Sequence, residues 1–225
     1  MTHELPLSAR EVLTTTRAVR RRLDLGRPVA RAVVEDCLRI AFQAPNGSDQ
    51  QTWNWVLVDV GSTRAEMARI YMAALQDYVN RPRDAPPARR PPQTPRQQTP
   101  RQQTPKQERM TESVMHLMHH LHEVPVLLVP TFHGRCERGT VFDQASRWAS
   151  IAPAVWSFML ALRLHGMGSA WTTLHLLRER EMGDLLGIPD TETQAGLFPV
   201  AYTLGTEFRV ADRSPSEARI HWNRW

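Results

Sequence analysis

Residues 151–166, IAPAVWSFMLALRLHG, constrain this chain most, because they are apolar around almost the whole helical circumference. A helix of that kind cannot rest on a core by one stripe; it has to be covered from several sides. Gly166 fits its C-cap, where a left-handed residue commonly ends a helix. No apolar run in the chain approaches the roughly 20 residues that span a bilayer, so this one is expected at the centre of a globular core and no membrane partner is expected.

The segments available to cover it alternate between helix and strand. SAREVLTTTRAVRRRLD (8–24) is helical in period, with Ser8 as N-cap. VARAVVEDCLRIAFQA (29–44) puts Val33, Val34, Cys37, Leu38, Ile40 and Ala41 largely on one face and ends at Ala44-Pro45. WNWVLVDV (53–60), PVLLVPTFH (125–133) and LFPVAYTLGTE (197–207) are strands; GSAWTTL (168–174) is a strand or a loop. Further helices are expected over 64–79, 110–124 and 177–188, the last ending before Pro189. With few strands and long helices the class is α+β. The tail ARIHWNRW (218–225) carries two tryptophans without a local core, which suggests docking onto another surface such as a partner subunit.

The 225 residues fit one domain, residues 1–225. Its formal charge of +5 hints at nucleic acid, but the charge is localised. Residues 81–107 carry a net +6, leaving −1 for the rest. This stretch contains a five-residue repeat, QTPRQ, QTPRQ, QTPKQ, over 93–107. Proline at every fifth position blocks a helix, and no strongly apolar side chain offsets the entropy of ordering it. A flexible, low-complexity surface insertion is expected at 81–107. It has no aromatic residue to stack on bases, so nucleic acid is not an expected partner. Two cysteines far apart, Cys37 and Cys136, and a start without a basic-then-apolar pattern point to reduced thiols in a cytoplasmic protein.

Three segments carry chemistry. Arg17, Arg20, Arg21 and Arg22 lie within six positions, and on a helix Arg17, Arg20 and Arg21 would share one face. Guanidinium forks suit phosphate oxygens, although a solvated basic face has the same pattern. Pro45, Asn46 and Gly47 form a turn that leads through Asp49 and Gln51 into a strand. Its amides, carbonyls and polar side chains suit the edge of a flat heteroaromatic ring; an ordinary helix-to-strand turn is the alternative. LHGMGSAWTTL (164–174) combines small residues, which admit a close ligand, with a flat Trp171 and the hydroxyl of Thr172. The histidines 116, 119, 120 and 122 include an i, i+4 pair. They lack an intervening glutamate and nearby cysteine, so an exposed polar face is expected and no metal.

In this order the segments resemble the nitroreductase family of flavoenzymes. Arg17-Ala18-Val19-Arg20 resembles its N-terminal arginine motif. Ala44-Pro45-Asn46-Gly47-Ser48-Asp49-Gln50-Gln51-Thr52-Trp53 resembles Ala-Pro-Ser-x-x-Asn-x-Gln-Pro-Trp. Gly166-Met167-Gly168-Ser169-Ala170-Trp171 resembles Gly-Leu-Gly-x-x-Trp, and Leu186-Gly187-Ile188-Pro189 resembles Leu-Gly-Ile-Pro. The resemblance covers about residues 8–80 and 110–225. It implies a central, mostly antiparallel sheet flanked by helices, in an interlocked homodimer with FMN at the interface. It further implies Arg17, Arg20 and Arg213 on the FMN phosphate, with Arg21 as a further contact. Pro45, Asn46, Gly47, Asp49 and Gln51 would border the flavin from the neighbouring chain, and Trp171, Thr172 and Thr173 would line the ring. The implied chemistry is hydride transfer from NAD(P)H through FMN to a nitroaromatic, quinone or similar small acceptor, without a protein nucleophile. A flavin-sequestering protein of the same fold is the alternative. Ala18, Asp49 and Thr52 depart from the family pattern; an ionised Asp49 side chain accepts hydrogen bonds but cannot donate them.

Overall fold

The computed structural model describes residues 4–81, 105–213 and 219–225. The sheet is built on β2 (Val126–His133), whose side chains are buried at every position but the last. Such a strand needs cover on both faces, and its continuous apolar run supplies the surface for it. β1 (Trp53–Val58) pairs antiparallel with β2 along one edge. The other edge is shared: β5 (Phe198–Tyr202) pairs with Val126–Leu128, and β4 (Glu192–Gln194) with Thr131–His133. The two-residue β3 (Met167–Gly168) extends the sheet beyond β5. Every ladder is antiparallel, as the resemblance implies. The segment 168–174, open between strand and loop in sequence, enters as β3 and leaves through a bridge between Thr172 and Leu197.

Helices cover both faces. α2 (Arg31–Ala41) and α5 (Val141–Leu164) pack with β2 and β5 into one cluster that includes Val34, Cys37, Phe158, Leu162 and Phe198. α3 (Gly61–Val79) and α4 (Pro105–His120) pack on the opposite side, where Met67, Ile70, Leu121 and Leu127 are fully buried. α6 (Glu179–Leu186) closes that cluster through Met182 and stops at Gly187, at φ +68°. α4 begins at Pro105, inside the stretch 81–107 expected as the insertion; residues 82–104 of that stretch lie outside the described residues.

Two helices differ from expectation. α1 (Ala9–Thr15) starts as its Ser8-Glu11 capping box dictates, but stops at Thr15 rather than running to Asp24. The cause is a run of three threonines. Their hydroxyls turn back onto the carbonyls of Arg10, Glu11 and Val12 at 2.6–2.7 Å, and β-branched residues are poor helix formers. The chain then runs along the sheet edge, with the Val19 amide on the Ser169 carbonyl at 2.8 Å. α5 starts ten residues before the apolar run, at a Thr140-Asp143 capping box. It is not covered all round: Trp156 is 39% exposed, and Ala152, Pro153 and Leu160 are half-buried. Pro153, Trp156 and Leu160 of this open stripe follow the i, i+3, i+7 spacing of one helix face. Val141 and Phe142 are exposed at its start.

Candidate cofactor site

Because α1 ends early, Arg17, Arg20 and Arg21 do not share a helix face. Arg17 turns toward α5, and its Nε is 3.5 Å from the Thr15 carbonyl. Arg20 is half-buried, and its charge acts on the buried hydroxyl of Tyr71 on α3. Arg21 is exposed and pairs with Glu112 of α4 at 3.5 Å. Arg22 is committed to structure: its guanidinium donates to the carbonyls of Leu204 (2.9 Å), Gly205 (2.7 Å) and Glu207 (3.1 Å).

That clamp sets Phe208 among three arginines. The guanidinium carbons of Arg22, Arg163 and Arg17 lie 4.2, 5.0 and 5.9 Å from its ring centre. Below the ring is a small cavity lined by Thr15, Thr16, Arg17, Arg163 and Ser169. Arg17 Nη2, Arg163 Nη1 and Ser169 Oγ are all buried and have no hydrogen-bond partner among the described residues. Arg163 is only 5% exposed. Burial, followed by the like charge of Arg22, lowers its affinity for its proton. Unpaired buried donors on cationic side chains are costly, so this arrangement suits an anion. Arg163 and Phe208 were not among the expected site residues. The available signal was one arginine inside an otherwise apolar helix, where a charge needs a partner.

The first and third motifs meet beside this cavity. Ala18 bridges Ser169, and Gly168 permits the approach: a Cβ there would lie 2.9 Å from Val19 and Thr203. Trp171 is then fixed by a hydrogen bond from Nε1 to the Ala195 carbonyl (2.9 Å) and by Phe198, 5.3 Å between ring centres. Thr172 donates from Oγ1 to Tyr71 at 2.8 Å, while Thr173 is exposed. Arg20, Tyr71 and Thr172 thus form one neighbourhood on the α3 side of the sheet.

The Pro45–Gln51 loop lies elsewhere. Pro45, Gly47, Asp49 and Gln51 are exposed and Asn46 is half-buried. Ser48, Asp49 and Gln51 adopt φ of 54°, 52° and 45°, a left-handed region unfavourable to side chains other than Asn and Asp. The Gln51 amide on Asn46 Oδ1 (3.0 Å) and the Gly47 amide on Ser150 Oγ (3.1 Å) hold the loop. Ser150 precedes Arg163 by 13 residues of α5, roughly 20 Å along the axis. The loop therefore does not meet the arginine cavity within one chain. Arg213 is exposed and has no hydrogen bond or ion pair to another described residue.

The rings of His116 and His120 lie 4.5 Å apart, tilted by 39°, and His120 pairs with Glu123 at 2.8 Å. Among the described residues no group of three or more histidine, cysteine or acidic side chains is placed to hold a metal, and no helix is long and apolar enough to cross a membrane.

Solved structures that share this fold include three flavoproteins. An iodotyrosine deiodinase, solved with FMN and 3-iodo-L-tyrosine, is 19% identical, with 96% of this chain and 99% of that one covered, at a TM-score of 0.67. The FMN- and NADPH-dependent nitroreductase NfnB from sphigopyxis sp. strain HMH is 20% identical over 97% and 100%, at 0.67. A BluB-like flavoprotein from Clostridium difficile 630 is 14% identical over 97% and 100%, at 0.69. No curated protein matches the sequence. The Nitroreductase family profile matches residues 13–202, which include the arginine segment, the Pro-Asn-Gly loop and the Gly-Met-Gly-Ser-Ala-Trp turn. The chain belongs to the nitroreductase family.

Proposed function

We propose that this protein is an FMN-dependent oxidoreductase that passes hydride from NAD(P)H to a nitroaromatic, quinone or similar small acceptor, working as a homodimer. The observation that carries the reading is the cluster of unpartnered buried donors, Arg17 Nη2 and Ser169 Oγ among them, beside the Gly166–Trp171 turn. Such donors fit a phosphate tail, and a rigid, flat Trp171 next to them fits a ring. FMN, when bound, supplies the two-electron chemistry; the protein binds, orients and tunes it.

The residues of the chain then divide the work. Arg17 holds the phosphate with charge-assisted hydrogen bonds. Arg20, Arg21 and Arg213 add positive charge around the tail. Trp171, Thr172 and Thr173 line the ring, and the Thr172–Tyr71 hydrogen bond fixes that turn against α3. Pro45, Asn46, Gly47, Asp49 and Gln51 contribute from a second copy. The roughly 20 Å between their loop and the cavity supports this, as does Trp156, which lies near the midpoint between Ser150 and Arg163 on the open stripe of α5. A two-fold axis near Trp156 would set each loop beside the other chain's cavity. The tail tryptophans, Trp222 at 84% and Trp225 at 102% exposed, offer further apolar surface to a partner. Residues 1–225 act as one FMN-binding domain with an insertion at 81–107, and the two free, buried thiols suit the cytoplasm.

The test is the visible spectrum of the purified protein, identification of any released flavin, and steady-state NAD(P)H oxidation with a nitroaromatic or quinone. Bound FMN with turnover is expected. A colourless protein that cannot be reconstituted with FMN would overturn the reading; bound FMN without turnover with any acceptor would favour flavin sequestration.

A further inference from the structure

The cavity below Phe208 holds more positive charge than the arginine motif alone supplies. Arg163 enters it from α5, far in sequence from Arg17. Its Nε has one long hydrogen bond, 3.4 Å to Thr15 Oγ1, and its Nη1 is buried without a partner. Arg22 holds three carbonyls with its guanidinium and does not line the cavity. Glu11, the acidic group whose charge reaches Arg163, is itself turned back onto Ser8 at 2.7 Å and 2.8 Å. Three guanidiniums therefore converge on one phenyl ring with no carboxylate in contact with Arg163. Such a cluster is stable when an anion completes it.

We propose that Arg163 is a second guanidinium ligand, beside Arg17, in a receptor for a phosphomonoester dianion. The inference deepens the FMN reading and rests on it for the identity of the phosphate carrier. Two forks and the Ser169 hydroxyl match an oxygen cluster bearing two charges. The side chains of Thr15, Arg163 and Phe208 also wall a second cleft, of about 240 Å³, toward Leu5 and Leu7. Arg163 and Phe208 thus line both spaces.

The experiment uses the full chain stripped of flavin, with Arg163→Met as variant. FMN and riboflavin affinities are measured by flavin fluorescence, and inorganic phosphate is tested by the rise it causes in melting temperature. Loss of charge-assisted hydrogen bonds predicts FMN binding weaker by about tenfold or more, with riboflavin binding little changed. The rise with phosphate should vanish in the variant. Arg163→Lys keeps the charge without the fork and should fall between, and it carries the test alone if Arg163→Met does not fold. Equal FMN affinity in variant and parent, or an equal loss for riboflavin, overturns the role of Arg163. A parent that responds to phosphate through Arg163 but binds no flavin would overturn the FMN reading and leave the receptor standing.

Discussion

Mild acid should destabilise this protein through one histidine. His175 follows Trp171 by four residues and is fully buried, and among the described residues neither ring nitrogen has a well-formed hydrogen bond, although the Gln194 side chain lies within its reach. Burial pushes its pKa from the ordinary 6.5 down to about 4, against the opposing pull of Gln194 and the charge of Glu179. The folded protein therefore resists the proton that the unfolded chain accepts. Stability from this group is fully present above pH 6.5 and is lost as the pH falls toward 4. Carried through linkage, that depression amounts to roughly 3 kcal/mol, a large part of the stability of an ordinary domain. Urea denaturation at a series of pH values between neutrality and about 4.5 measures it. His175→Leu removes the titrating group and two orphaned nitrogens. It should hold its stability across this window better than the parent, by about 2 kcal/mol or more at the acid end. Parallel pH profiles for the two proteins would refute the reasoning, as would a His175 resonance titrating near 6.5.

Three further outcomes follow from the site. Gly196→Ala should cost about 1–3 kcal/mol and weaken FMN binding, because the new Cβ would lie 2.5 Å from Trp171 Nε1 and 3.0 Å from the Thr172 carbonyl; melting curves and flavin titration read both. Trp156→Glu should shift the protein toward monomer in light scattering and release flavin in proportion, since a charge on the open stripe of α5 opposes pairing; an unaltered dimer would remove Trp156 from the interface. Arg22→Met gives up three charge-assisted hydrogen bonds to residues 204–207, and should expose that segment to limited proteolysis with a stability loss of about 2–4 kcal/mol in denaturant.

The sequence displayed some of this plainly and hid the rest for identifiable reasons. The central helix showed in its apolar circumference, and Gly166, at φ +67°, follows its end as a left-handed C-cap should. β1, β2 and β5 showed as runs of strand formers. β4 did not: Glu192, Thr193 and Gln194 are polar yet buried, because pairing with β2 and hydrogen bonds to Thr131, Gly134 and Glu179 satisfy most of their polar atoms. The early stop of α1 depends on a contest between threonine hydroxyls and helix propagation that hydrophobic period does not register. Arg163 was legible only as an oddity, since its partners Thr15 and Phe208 come from opposite ends of the chain. The left-handed turn at Ser48, Asp49 and Gln51 carries no glycine to announce it.

The clamp between Arg22 and residues 204–207 has a consequence for how the protein comes into being. Leu23 bridges Thr203, the Asp24 amide bonds the Tyr202 carbonyl, and the Leu204 amide bonds the Arg22 carbonyl, so residues 22–24 rest on partners some 180 positions away. On a ribosome, the arginine segment is made some 180 residues before its support. Contacts of such separation form late, after the loop between them has closed. The cationic segment must wait for that support until it has been made, and the cavity exists only once the two segments are joined. Any truncation before residue 208 would therefore remove the roof of the site while leaving the sheet and the central helix largely complete.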